Sequence, residues 1–187
     1  MAITQRLTLD EFLALPAEEP ALELEPDGTV VQKVSPQGQH SRLQLALCEQ
    51  INRFAEGRRL ALAFPELRVV FGAAAYVPDV SVFRWDRIPR TVDGDVANVF
   101  GAPPDVAVEI VSPEQSTNAL VRRCLWYVDN GVGTALLVDP ADRSVVRFVQ
   151  DQTARVLRGD ERIDFGIVLP GFAITVAELF RALRLEP

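Results

Sequence analysis

Lysine is almost absent from this chain. Of 19 basic residues only Lys33 is a lysine, and His40 is the only histidine. That scarcity bears on any phosphate chemistry that draws on an ammonium group. Cysteine is also sparse. Cys48 and Cys124 both fall on apolar stripes of predicted helices, which points to reduced core thiols and away from a disulfide or a metal pair. No apolar run is long enough to cross a membrane, and no signal peptide is recognised. A cytoplasmic protein with no membrane partner is expected. Positive charge is in deficit, with a net charge of -7 and a pI near 4.8. Bulk charge therefore cannot hold a nucleic acid, which leaves only a local basic face for that purpose.

What remains is an ordinary globular composition, 48% hydrophobic and 24% charged. The length suits a single domain over residues 1–187 with a full core. Thr8 and Glu11 form a capping-box pattern ahead of a short helix, Leu9 to Leu15, stopped by Pro16. Leu22 to Glu25 and Thr29 to Val34 flank Pro26-Asp27-Gly28, a hairpin turn in which proline fixes one dihedral and glycine supplies a positive one. His40 to Glu56 carries Leu43, Leu47, Ile51 and Phe54 at helical spacing, closed by Gly57. Strands are expected over Leu60 to Phe64, Leu67 to Phe71 and Tyr76 to Phe83. Arg84 to Gly101 reads as a long surface loop. Further on, Ser144 to Val149 pairs with Arg155 to Leu157, Ile163 to Leu169 adds a strand, and Thr175 with Glu178 caps a final helix to about Leu183.

The centre of the chain is Pro103 to Pro140. Val106 to Val111 is a short β-branched run of the kind buried on both faces of a sheet. Thr117 to Asn130 places Leu120, Val121, Cys124, Leu125 and Val128 on one helical stripe, with Gly131 just past its end. Thr134 to Val138 is a second apolar strand. This β-α-β pattern predicts two parallel strands, adjacent or nearly so.

Two acids are out of place in this pattern. Glu109 lies inside an apolar strand, where a carboxylate needs a cation, a donor or a metal. Asp79 lies in another strand-like run, behind Val77-Pro78. Carboxylates on neighbouring strands can converge on a hard divalent cation that keeps several waters. Such an ion lowers the pKa of a water and stabilises charge on a phosphoryl oxygen. Strand parity puts Asp105, Ala107, Glu109 and Val111 on one face, and Val106, Val108 and Ile110 on the other. A cation two residues beyond the glutamate would point into the same site, but that position is Val111.

Pro78-Asp79 followed by Glu109-Ile110-Val111 resembles the PD-(D/E)XK nuclease signature without its lysine. Pro104 to Pro113, the helix ending Tyr127-Val128-Asp129-Asn130-Gly131-Val132, and Leu137-Val138-Asp139-Pro140 are similar to one branch of that superfamily. That branch is a widespread bacterial family of restriction-endonuclease-like proteins, a domain of unknown function. The likeness extends to Glu23-Leu24, Asp27-Gly28, Ser35-Pro36, His40, Leu169-Pro170-Gly171-Phe172 and Glu178-Leu179-Phe180, and so spans nearly the whole chain.

The resemblance implies an α/β (α+β) fold: a restriction-endonuclease-like core, a mixed β-sheet flanked by helices, with additional hairpins. It implies a site for Mg²⁺ or Mn²⁺ made by Asp79, Glu109 and the carbonyl of Ile110, with Asp79, Glu109 and Arg123 catalytic. Glu23, His40 and Tyr127 would form the edge of the site. Arg123 stands where the branch commonly has a lysine. It keeps the charge but cannot act as a base. Ala119 replaces an acid of the same helix. DNA is the expected substrate, cut as an endonuclease by metal-activated water. The alternative is a catalytically impaired nuclease fold that binds nucleic acid or serves in assembly.

Plainer readings stand beside these. Asp79 could cap a turn, and Glu109 could form a structural salt bridge with Arg123 or Arg122. Lys33 reads as a surface lysine at a hairpin end, because a catalytic role would need it to reach across from another strand. Arg84, Arg87 and Arg90 read as a solvated loop that would also suit a phosphate-tracking edge. Arg122 and Trp126, one turn apart, suggest stacking on an outer face. Trp126, Phe83 and Trp85 are not all assignable to one core. They suggest a homodimer or larger homo-oligomer, or else a lining for the cleft.

Overall fold

The computed structural model describes residues 6–113 and 115–185. Four helices are named here: α1 (Leu9–Leu13), α2 (Gly38–Ala55), α3 (Thr117–Asp129) and α4 (Val176–Arg181). The strands are β1 (Leu22–Leu24), β2 (Val30–Gln32), β3 (Ala61–Pro65), β4 (Val69–Phe71), β5 (Ala74–Tyr76) and β6 (Val80–Arg84). They continue with β7 (Val106–Ile110), β8 (Thr134–Asp139), β9 (Ser144–Phe148), β10 (Arg155–Arg158), β11 (Arg162–Ile163) and β12 (Ile174–Thr175).

A six-stranded mixed sheet runs β10-β9-β8-β7-β6-β3. Its one parallel pair is β7 with β8, joined by α3 as the β-α-β pattern predicts. Period-two alternation sorts its side chains. Val80, Val82, Val106, Val108, Ile110, Leu136 and Val138 pack against α2 and α4 in one core. Phe83, Ala107, Ala135, Leu137 and Phe148 pack against α3 in the other. The sheet is thus covered on both faces, which explains why its central strands are apolar almost throughout.

A smaller sheet, β2-β1-β5-β4, lies beside this core. Gly28 turns its first hairpin at φ +86°, and a Cβ there would meet the Leu7 carbonyl oxygen at 2.8 Å. Gly72 and Ala73, both at positive φ, make a two-residue turn between β4 and β5. A Cβ on Gly72 would meet Asn130 Oδ1 at 2.7 Å and the Trp126 ring at 2.9 Å. That glycine lets the turn lie flat on the end of α3.

Several expectations change. Tyr76 to Phe83 is two strands, not one, because Val77-Pro78-Asp79 carries the chain from the small sheet to the large one. Proline has no N–H for a ladder, so the break falls at Pro78. Ile163 to Leu169 is not a strand: only Arg162–Ile163 pairs, and Gly166–Val168 is a 3₁₀ turn. On α3 the buried stripe is Leu120, Cys124, Tyr127 and Val128, while Leu125 is 45% exposed. The helix is rotated to bury the large Tyr127 in its place. Both cysteines are free and buried. The aromatic residues also find intramolecular homes. Phe83 stacks with Phe100 at 4.9 Å, and Trp126 packs on Phe71 and Tyr76 at 5.2 and 5.1 Å. Trp85 packs against the same core. An interface is no longer required to account for them.

Candidate active site

The break at Pro78 builds the site. It ends β5 and places Asp79 just ahead of β6, whose ladder pairs Val80 with Val108. Continued by one position, that register sets Asp79 across from Glu109. Both acids are buried, Asp79 at 2% and Glu109 at 1% exposure. Every oxygen of Asp79 is engaged. Lys33 Nζ donates to Oδ1 at 2.6 Å, and the Ile110 N–H donates to Oδ2 at 2.6 Å. His40 Nε2 lies 2.9 Å from Oδ2. Burial raises the Asp79 pKa, but the His40 hydrogen bond and the Lys33 charge outweigh it, and the carboxyl sits below its usual range.

Lys33 is the largest departure from the sequence reading. It is not a surface residue. It follows β2 directly, its N–H bonds to the Ala21 carbonyl, and its side chain runs inward to Asp79 and to Glu66 at 2.9 Å. Burial opposes its charge, but the carboxylates of Asp79, Glu109 and Glu66 overcome that and hold the ammonium above its ordinary range. It is a permanent cation, not a base. Gln44 of α2 completes this corner, donating to Glu66 Oε1 at 2.9 Å and to the Asp79 carbonyl at 2.8 Å.

Glu109 accepts a hydrogen bond from the Tyr127 hydroxyl at 2.6 Å. Burial pushes its carboxyl up to about 8, with Arg123 acting against the shift and Asp79 adding to it. Arg123 does point into the site, but Glu109 is not its main partner. Its guanidinium is 2.8 Å from Glu23 Oε2, 3.3 Å from Glu25 Oε1, and only 3.8 Å from Glu109 Oε1, too long for a hydrogen bond. It also lies over the Tyr76 ring at 4.7 Å. Burial raises the Glu23 carboxyl, although Arg123 opposes this and the Val77 N–H donates to Glu23 Oε1 at 2.8 Å. Tyr76 donates its hydroxyl to Glu25. Glu23, His40 and Tyr127, expected at the edge, are all in direct contact with the central groups.

Other candidates fall outside. Arg84 and Arg87 pair with Asp105 at 3.1 and 2.7 Å, and Arg90 lies over Trp85 at 5.4 Å. Their loop is anchored by buried Ile88 and Phe100. Ala119 lines a cavity of about 340 Å³ with Glu25, Tyr76, Arg123 and Trp126. Sequence reasoning missed Glu66, Gln44 and Glu25. Glu66 reads as a plain turn acid between Pro65 and Leu67, and nothing local marks it. Lys33 carried one signal, its being the only lysine.

The donor set suits a divalent cation. Five carboxylates, Glu23, Glu25, Glu66, Asp79 and Glu109, are countered by two permanent cations, Lys33 and Arg123. Burial meets part of that surplus by holding the Glu109 carboxyl up to about 8 and raising that of Glu23, and Glu25 and Glu66 are partly exposed; an added cation would relieve the rest. Glu109 Oε2 accepts no hydrogen bond among the described residues. No group of three His, Cys, Asp or Glu residues with metal-binding geometry exists among the described residues. Two carboxylates and a backbone carbonyl fit an ion that keeps most of its waters.

No curated protein gives a significant match to this chain. A crystal structure of "a putative nuclease belonging to DUF820" from Anabaena variabilis ATCC 29413 superposes with a TM-score of 0.91 at 37% identity, over 95% of this chain and 99% of that one. The fold is therefore that of a nuclease-like α+β protein, and family and fold together support a nuclease function. Residues 9–177 match the model of one family, and the chain belongs to it: Uma2, "Putative restriction endonuclease".

Proposed function

We propose that this protein is a Mg²⁺- or Mn²⁺-dependent endonuclease that hydrolyses phosphodiester bonds in DNA. One observation supports it above others: the chain's single lysine reaches Asp79 at 2.6 Å, beside Glu109. Lys33, just after β2, thus stands in for the lysine absent from position 111. Asp79, Glu109 and the Ile110 carbonyl would hold the metal. When bound, the ion supplies an activated water and neutralises charge on the scissile phosphate.

The chain's own residues do the rest. Lys33, kept protonated by its carboxylate neighbours, stabilises the negative charge that develops on the phosphoryl oxygens. The Ile110 N–H and His40 fix the Asp79 carboxylate in one orientation, and Tyr127 does the same for Glu109. Arg123 is held by Glu23 and Glu25 and steadies the far wall. A homodimer, with one site for each strand, is part of the proposal.

The test is a metal-titrated cleavage assay on plasmid and single-stranded DNA, with Asp79→Ala as control. Cleavage that needs Mg²⁺ or Mn²⁺ and disappears in the variant is expected. Binding of DNA without cleavage at any metal concentration would favour the impaired, nucleic-acid-binding reading. Light scattering of the free and DNA-bound protein checks the dimer.

A further inference from the structure

The cavity of about 340 Å³ on the α3 side of the centre has no part in the proposed chemistry. Its walls are largely apolar and aromatic: Pro26 of the first hairpin, Tyr76 at the end of β5, and Ala119, Leu120 and Trp126 of α3. Arg123 lines it as well and lies 3.8 Å from Glu109, so the cavity adjoins the proposed metal ligands. Its volume is near the lower end of the range for small-ligand sites.

Two side chains give this cavity its chemistry. The first is Trp126. Its ring is held by Phe71 and Tyr76 at 5.2 and 5.1 Å and by the turn at Gly72, yet it stays only half-buried. A large aromatic surface is thus fixed in a cavity wall, so a ligand that stacks on it need not order it first. The second is Arg122, one helical turn before Trp126. It is exposed and, among the described residues, pairs with no acid. Its neighbour Arg123 is by contrast spent on Glu23 and Glu25. A preordered aromatic ring beside an uncommitted guanidinium is the pairing that binds an unpaired nucleotide, the ring taking the base and the cation the phosphate.

We infer that this cavity takes one unstacked nucleotide of the substrate strand, with its base against Trp126 and its phosphate on Arg122. The inference rests on the nuclease reading and deepens it, because it makes the substrate single-stranded or locally unpaired DNA. A base inside a duplex is stacked on both faces and paired at its edge, so it must leave the stack before it enters a cavity. Charge sets the orientation. Glu25 lies beside Arg123 and disfavours a phosphate there, whereas Arg122 offers a free positive charge. Stacking on an aromatic wall tolerates every base, so this subsite selects for strand state and not for sequence.

The test uses Glu109→Gln, which should not cleave, combined with Trp85→Phe, which leaves Trp126 as the only tryptophan. Its fluorescence is followed in Mg²⁺ as oligothymidylate is added, and again with the same strand annealed to oligoadenylate. The single strand should quench Trp126 saturably and bind about tenfold tighter than the duplex or more, the worth of one stacked base. Arg122→Ala should weaken that binding about tenfold, the loss of one charge-assisted contact. Arg53→Ala makes the same charge change on α2, away from the cavity, and should alter binding less than about twofold, since salt screens a distant charge. No quenching, equal affinity for strand and duplex, or equal losses from the two arginine variants overturns the subsite. The nuclease reading is judged separately on Trp85→Phe with Glu109 intact. Quenching by the single strand without cleavage at any metal concentration leaves the subsite standing and removes the nuclease reading. Cleavage without quenching does the reverse.

Discussion

Replacing Lys33 by methionine keeps most of the stem and removes the charge. In the metal-free protein the change strips Asp79 of a 2.6 Å bond and Glu66 of one at 2.9 Å. Removing one partner of a buried ion pair costs about 3–5 kcal/mol. The low end applies, because Asp79 keeps His40 and the Ile110 N–H. Glu66, 39% exposed, adds little since water screens it. A loss of about 3 kcal/mol in urea denaturation at neutral pH is therefore expected. Cleavage should fall by about 10²–10³, the usual effect of deleting a group that stabilises charge in the transition state. Mg²⁺ supplies the discriminating readout. A divalent ion can neutralise the same carboxylates, so saturating metal should restore part of the lost stability, about 2.7 kcal/mol at a hundredfold excess over Kd. Lys33→Arg should not rescue cleavage, because the planar fork does not fit a pocket shaped for a point charge. Lys33→Met with wild-type stability and wild-type cleavage would refute the assignment of Lys33 to the centre.

Four further outcomes follow from the same geometry. Tyr127→Phe removes the 2.6 Å donor from Glu109 and should cost about 1–3 kcal/mol in denaturation while leaving the fold unchanged by circular dichroism. Arg123→Met leaves Glu23 buried without its cation and should cost about 3–5 kcal/mol; a loss below about 1 kcal/mol would mean that the cluster is not ion-paired in solution. Trp126→Ala should lower stability by about 2–3 kcal/mol and leave the light-scattering mass unchanged, because the ring packs on Phe71 and Tyr76 of its own chain. Glu109, with its pKa raised from 4.5 to about 8, favours the metal-free fold most below about pH 4.5. That contribution is lost as pH rises through about 8. In EDTA, Glu109→Gln should therefore flatten the decline in stability between about pH 5 and pH 8.5, and metal affinity of the wild type should rise over the same interval.

Much of the fold was legible because its signals are local. The capping boxes at Thr8 and Thr175, the turn at Gly28 and the apolar strands β7 and β8 each follow from a few neighbouring residues. The strand break at Asp79 was less so. Val77-Pro78 sits inside an apolar run, and only the existence of a second sheet decides that the chain must leave one ladder for another. The rotation of α3 was hidden for a similar reason. Leu125 and Tyr127 are both apolar enough to be buried, and it is the hydroxyl bond to Glu109 that favours the tyrosine. Asp79 and Glu109 stood out because a charge in a buried strand is costly wherever its partner lies. Lys33, Glu66 and Gln44 did not, because each sits where its type is unremarkable and becomes informative only once distant strands meet.

The division of labour between the two buried cations follows from what each can bind. Arg123 has a planar fork, and the structure spends it on two carboxylates at once, Glu23 and Glu25 on β1 and just after it. That fastens the small sheet to α3, and it leaves Glu109 at 3.8 Å with a weak share. An arginine so committed cannot also follow charge as it moves onto a phosphoryl oxygen. Lys33 is a compact charge on a flexible stem and faces Asp79 and Glu66 on the other side. Glu66 is partly exposed and is also held by Gln44. Lys33 can therefore leave it for an incoming phosphate at little cost, while its bond to Asp79 keeps it in the centre. The proposed chemistry would require a compact positive charge beside the two acids. The fold brings Lys33 there from 76 positions before Glu109, because β1 pairs with both β2 and β5, and β5 leads directly into Asp79.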